Sequence, residues 1–90
     1  MNRKVVISKT AEKKSEQLFS FLIKKWSLQV KLGFIEKLDT SVQIIRNQPE
    51  SFPESKIKKG LRKYVITKQT TLFYRFDSKN IFVVAIFDTR

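Results

Sequence analysis

Apolar residues along this chain recur at two spacings, and the change between them divides it into a helical first half and a strand-rich second half. Val5-Val6-Ile7 is a β-branched run and predicts a short first strand. Beyond it Ala11, Leu18, Leu22 and Trp26, flanked by Phe19 and Ile23, repeat at helical spacing, while Lys13, Lys14, Lys24 and Lys25 fall off the stripe. Ser8 or Thr10 supplies the side-chain oxygen that caps such a helix, which should run to about Trp26. Ser27 interrupts it and can cap a second helix, whose stripe is Leu28, Leu32, Ile35, Leu38, Val42 and Ile45. Asn47-Gln48-Pro49 ends that helix, because proline cannot continue the hydrogen-bond ladder. With almost no linker between them, the two helices should form an antiparallel hairpin. Gly33 costs its helix roughly 1 kcal/mol against alanine, and close packing is the expected reason for it.

Residues 49–60, with two prolines and a glycine, read as the one extended loop. Three strand-like runs follow. In Leu61–Ile66, Arg62, Tyr64 and Ile66 alternate with Leu61, Lys63 and Val65; in Thr70–Phe76, Leu72, Tyr74 and Phe76 alternate with Thr71, Phe73 and Arg75. Ile81–Phe87 is apolar on both faces, as a central or fully covered strand should be. Short polar connections, Thr67-Lys68-Gln69 and Asp77-Ser78-Lys79-Asn80, predict an antiparallel meander. The expected fold is a single α+β domain over residues 1–90, in the order β-α-α-β-β-β. An antiparallel helical hairpin should pack on one face of a curved, mainly antiparallel sheet.

Composition narrows the chemistry. There is no cysteine and no histidine, which excludes a disulfide scaffold, a thiolate or imidazole metal site and a Cys or His catalyst. No metal and no cofactor is therefore expected. No apolar run approaches membrane-spanning length and the N-terminus lacks a signal-peptide pattern, so a cytoplasmic protein with no membrane partner is expected. Nineteen Lys and Arg against eight Asp and Glu give a net charge of +11, spread through both halves of the chain. Such an excess favours polyanionic partners: RNA, DNA, ribosomes or acidic proteins.

The densest basic group is Lys56, Lys58, Lys59, Arg62 and Lys63, at the loop-to-strand junction. RNA cleavage through a 2′-OH needs a base, positive charge on the phosphate and an acid for the leaving oxygen. Lysine serves as base only where neighbouring cations or desolvation lower its pKa. The same cluster would equally be a solvated rim or a docking face for an acidic segment. Arg75 can reach a partner from an open sheet face or pair with Asp77 or Asp88, and strand alternation puts Tyr74 on the opposite face, in the core. Tyr64 could act as a phenolic acid but more often such a residue packs; Glu54 is the weaker candidate for a base. Phe52, Phe82 and Phe87 are expected in the core rather than as a base-stacking platform.

The element order, together with Gly60-Leu61-Arg62-Lys63, Leu72-Phe73-Tyr74-Arg75-Phe76 and Ile86-Phe87-Asp88-Thr89-Arg90, resembles the RelE/ParE toxin superfamily. The resemblance covers nearly the whole chain, though its motifs are degenerate. It implies a toxin neutralised by a cognate antitoxin, with either of two targets. ParE-like members poison DNA gyrase; RelE-like members cleave mRNA in the ribosome. Arg90 falls where the family's active-site Arg or His commonly lies, and in a nuclease Lys56, Lys58, Arg62 and Arg90 would do the phosphate and proton work. Lys56, Lys58, Lys59, Arg62, Lys63, Arg75 and Arg90 together would bind target or antitoxin. The chain departs from the nuclease pattern. Thr71 stands where an arginine is often found, Ile66 (or, with a one-residue gap, Thr67 or Lys68) where a catalytic arginine tends to be, and the usual C-terminal tyrosine is missing. The expectation is a gyrase-directed, plasmid-stabilising type of toxin first, an mRNA endonuclease second, and a nucleic-acid-binding module without toxin function third.

Overall fold

The computed structural model describes residues 3–89, with the elements β1 (Lys4–Ile7), α1 (Lys9–Lys25), α2 (Leu28–Asn47), β2 (Arg62–Val65), β3 (Thr70–Phe76) and β4 (Asn80–Asp88). A single 3₁₀ turn, Pro49–Ser51, follows α2. The sheet order is β1-β4-β3-β2. β2, β3 and β4 form the expected antiparallel meander, and β1 joins it parallel to β4 through the crossover made by the two helices. β4 is thus central, as its apolar run implies. The fold is two helices on one face of a four-stranded mixed sheet.

Serines set both helix starts. Ser8 Oγ accepts from Ala11 N–H at 3.0 Å, and Ser27 Oγ accepts from Val30 N–H at 3.2 Å. Ser8 also fixes α1 to the sheet: its N–H donates to Val83 O at 2.9 Å and its hydroxyl to Val84 O at 2.7 Å. Val84 is the bulge of β4, since Phe73 pairs with Ala85 while Tyr74 pairs with Val83. One cap therefore anchors the helix at the point where the central strand changes register.

The core lies between helices and sheet. Ala11, Leu18, Leu22, Phe34 and Ile45 from the helices meet Leu72, Tyr74, Ile81, Val83 and Ile86 from β3 and β4. Three members of the expected stripes lie exposed, outside it. Trp26 is 67% exposed because it follows the last turn of α1 as the C-cap. Leu28 and Leu32 begin α2 and are 58% and 54% exposed, so the apolar face of this helix is uncovered over its first turns.

Gly33 does not serve close packing: no atom outside its own helix lies within 4 Å of where a Cβ would stand. Gly33→Ala should therefore stabilise the fold by about 1 kcal/mol, through propensity and unfolded-state entropy. Thermal melting should show a rise of roughly 4–8 °C. Gly60 differs, with φ at 81°, a left-handed conformation at the turn before β2 that favours glycine.

Candidate cationic sheet face

The helices leave one face of the sheet open, and strand register decides which side chains reach it. Lys63 pairs with Phe73, Arg75 with Phe82, Phe82 with Val6, and Thr71 with Phe87, so these residues share the open face. Arg75 is exposed, with its guanidinium carbon 4.2 Å from the Phe82 ring centroid, a stacked cation–π contact. Lys58 reaches the same face from the preceding loop, its Nζ 5.7 Å from the ring of buried Phe73. Ser55 shapes that loop: its hydroxyl accepts from the N–H groups of Ile57 and Lys58 at 3.2 and 2.9 Å. Lys58, Lys63 and Arg75 thus stand over a floor of Val6, Phe73, Phe82 and Phe87. Lys56 and Lys59 are exposed on the same loop.

Arg62 does not join them. It pairs in register with Tyr74 and is half-buried on the helix side of the sheet, the reverse of Lys63. Its Nη1 donates to Phe52 O at 2.6 Å and Glu50 O at 3.1 Å, and its guanidinium lies 5.5 Å from the Phe76 ring centroid. Arg3 approaches Phe76 as well, at 5.4 Å, and donates to Asp77 O at 2.8 Å. Arg46 donates to Arg3 O at 2.6 Å. These arginines hold the chain together. The basic cluster seen in the sequence divides between the two faces, and Arg90 lies outside the described residues.

Both tyrosines are also on the covered side. Tyr74 is fully buried; its hydroxyl donates to Pro49 O at 2.6 Å, and burial pushes its pKa up to about 12, against a smaller lowering by Arg62 and a raising by Glu50. Tyr64 packs edge-to-face on Phe52, with ring centroids 4.9 Å apart, in the groove beside α2. Asp88 faces the core, where it accepts a hydrogen bond from the buried Thr70 hydroxyl at 3.1 Å. Asp77 belongs to the β3–β4 turn: its Oδ1 accepts from the N–H groups of Lys79 and Asn80 at 2.8 and 2.7 Å, bonds that hold the carboxyl below its ordinary pKa. Arg75 stacks on Phe82, and its positive charge adds a smaller lowering to the Asp77 carboxyl. Glu54 is exposed, its backbone bridged to Arg62.

Two of the phenylalanines expected in the core lie elsewhere. Phe82 is half-buried beneath Arg75, and Phe87 is 51% exposed on the open face. Phe52 packs as expected. Ser55 and the Phe82 floor went unnoticed in the sequence; Ser55-Lys56-Ile57-Lys58 is a serine-turn pattern that would have pointed to the first.

The sheet's two edges differ. β2 is partly closed by its own loop, through Lys63 N–H to Pro53 O at 3.0 Å and Ser55 N–H to Leu61 O at 2.7 Å. The outer side of β1 is open, and beside it runs an apolar groove of Val5, Ile7, Ile35, Leu38 and Val42, with Lys4 and Arg46 on its rim. Among the described residues no group of His, Cys, Asp and Glu could hold a metal ion, and no helix is long and apolar enough to cross a membrane.

No curated protein matches this sequence. Solved structures share its architecture at low identity. A chain of the chromosomal ParDE TA system from P. aeruginosa superposes with a TM-score of 0.80 at 11% identity, over 98% of this chain and 97% of that one. The YoeB/ParE toxin from Agrobacterium tumefaciens gives 0.68 at 14%, over 97% and 99%. A chain of the E. coli DinJ-YafQ toxin-antitoxin complex gives 0.64 at 15%, over 98% and 93%. At these identities the likeness is one of fold. Residues 5–90 match the sequence family described as the ParE toxin of the type II toxin-antitoxin system, parDE, a span that takes in the sheet apart from the first residue of β1. By fold and by sequence together, the chain belongs to the ParE toxin family of type II toxin–antitoxin systems.

Proposed function

We propose that this toxin arrests growth by binding a macromolecular target, DNA gyrase in the first instance, without cleaving RNA, and that a cognate antitoxin neutralises it. The division of the sheet carries this reading. Lys58, Lys63 and Arg75 supply positive charge on the open face, while Arg62 and both tyrosines lie on the covered face. Among the described residues the phenols are turned away from these cations, and cations alone can hold an anionic partner without supplying the acid–base pair that phosphodiester cleavage requires.

The same face suits an acidic antitoxin segment, which would enter over the open edge of β1 and lie across Phe82 and Phe87 among the three cations. The E. coli relative in the DinJ-YafQ structure is a toxin bound to its antitoxin, which supports a partner of this kind.

Two assays separate the readings. Purified toxin should inhibit supercoiling by gyrase and leave mRNA intact in a translating extract. Site-specific mRNA cleavage in that extract would instead identify a ribosome-dependent nuclease. Reversing the three charges together (Lys58→Glu, Lys63→Glu, Arg75→Glu) should weaken antitoxin binding by at least about tenfold and flatten its salt dependence, as measured by calorimetry.

A further inference from the structure

The turn between α1 and α2 carries the most exposed apolar side chains of the helical layer. Trp26 stands at the apex, Ile23 on the last turn of α1, and Leu28, Val30 and Leu32 on the first turns of α2; exposure runs from 41% at Val30 to 67% at Trp26. The turn is held firmly. Leu22 O accepts from the N–H groups of both Trp26 and Ser27, at 3.0 and 3.1 Å, and Ser27 caps α2 from the other side. These side chains are therefore displayed by a rigid tip. Its charge is of one sign: Lys24, Lys25 and Lys31 lie within it, and between Glu16 and Glu36 the chain has no carboxylate. Lys31 is pinned at its flank, Nζ 5.9 Å from the Phe19 ring.

We propose that this tip is the surface by which the toxin grips its protein target, seating Trp26 and Leu28 in an apolar cleft rimmed by carboxylates. The inference rests on the toxin reading above but not on the identity of the target. An aromatic anchor surrounded by apolar contacts and a basic rim is the composition of an interface hot spot. Charge complementarity selects the acidic rim; it also argues against a second copy of this chain, which would bring another +11. A lipid surface fits less well. Leu28, Val30 and Leu32 stand at i, i+2 and i+4 of α2, so the apolar side chains do not all lie on the single face that a flat lipid surface would meet. The tip is separate from the cationic sheet face, so target and antitoxin would meet the toxin through different side chains.

The test compares wild type with the double variant Trp26→Ser, Leu28→Gln. Both positions are exposed, and an unchanged melting temperature checks the fold. The variant should lose growth arrest, and its affinity for purified gyrase should fall by roughly thirtyfold, while antitoxin affinity stays as in wild type. Trp26 is the chain's one tryptophan, so 5-fluorotryptophan labelling gives a single ¹⁹F signal at the tip. That signal should move when gyrase is added and stay in place with phosphatidylcholine vesicles, which carry no net charge to attract the basic chain. A folded variant that still arrests growth, or a signal that moves with vesicles alone, overturns the proposal. Failure of the toxin reading looks different: wild type itself would not arrest growth. If wild type arrests growth without binding gyrase, the target reading fails, and the variant's growth arrest still decides the tip: its loss supports the proposal and its retention overturns it.

Discussion

Tyr74→Ala should destabilise the domain by about 3–5 kcal/mol, enough to consume much of the margin of a small protein. The phenol is the largest fully buried side chain, enclosed where β3 faces both helices, and its hydroxyl reaches across to Pro49 at the end of α2. Truncation loses the packing and leaves a carbonyl without its donor. A drop in melting temperature on the order of 20 °C is the expected result. Tyr74→Phe isolates the hydroxyl and should cost about 1–2 kcal/mol. The same pair gives a pH signature. With the folded pKa near 12 and the unfolded one near 10, Tyr74 contributes fully below pH 10, and the contribution disappears as pH rises through 12. The slope is about 1.4 kcal/mol per pH unit in that window. In denaturant titrations Tyr74→Phe should lack this component, and an identical alkaline profile for the two proteins would contradict it.

Arg62→Met is expected to cost about 2–3 kcal/mol of stability, because two backbone carbonyls lose a charged donor and Phe76 loses one of its two cationic neighbours. Arg62→Lys should recover only part of that, since one ammonium cannot reproduce the planar fork. The decisive comparison is activity per folded molecule at low temperature. A residue that supports the loop should leave growth arrest and antitoxin affinity intact once unfolded protein is discounted. A residue that works on a phosphate would lower activity in a fully folded sample. The first outcome is expected.

Helix and strand positions were legible in the sequence because capping serines, Pro49 and alternation act locally. Ser8, Ser27 and the run Thr70–Phe76 needed no tertiary information. Orientation was less legible. Periodicity says that Leu28 and Leu32 share an apolar face but not whether the sheet extends far enough to cover it, and it does not. Neighbours in sequence, Arg62 and Lys63, part company across the sheet, and which goes where depends on the register set by the Thr67–Thr70 turn. The bulge at Val84 has a larger effect. Phe82 and Asp88 are an even number of residues apart, so simple alternation would place them together, yet the extra residue sends Phe82 to the open face and Asp88 to the core. Arg75 consequently stacks on the Phe82 ring, and Asp88, one of its two expected partners, lies on the other face. The candidate site was thus foreseen as a set of cations, and its geometry was decided by one inserted residue.

β4 lies between β1 and β3 and is also the last of the described elements in the order of synthesis. A growing chain therefore exposes the hairpin, β1 and the β2–β3 pair before the strand that unites them exists outside the ribosome. Until then β1 has no parallel partner, and the apolar side of α1 has no floor of Ile81, Val83 and Ile86 to rest on. Non-local pairing of this kind comes late in folding. The sheet cannot close, and the core cannot be sealed, before β4 has emerged and inserted between β1 and β3.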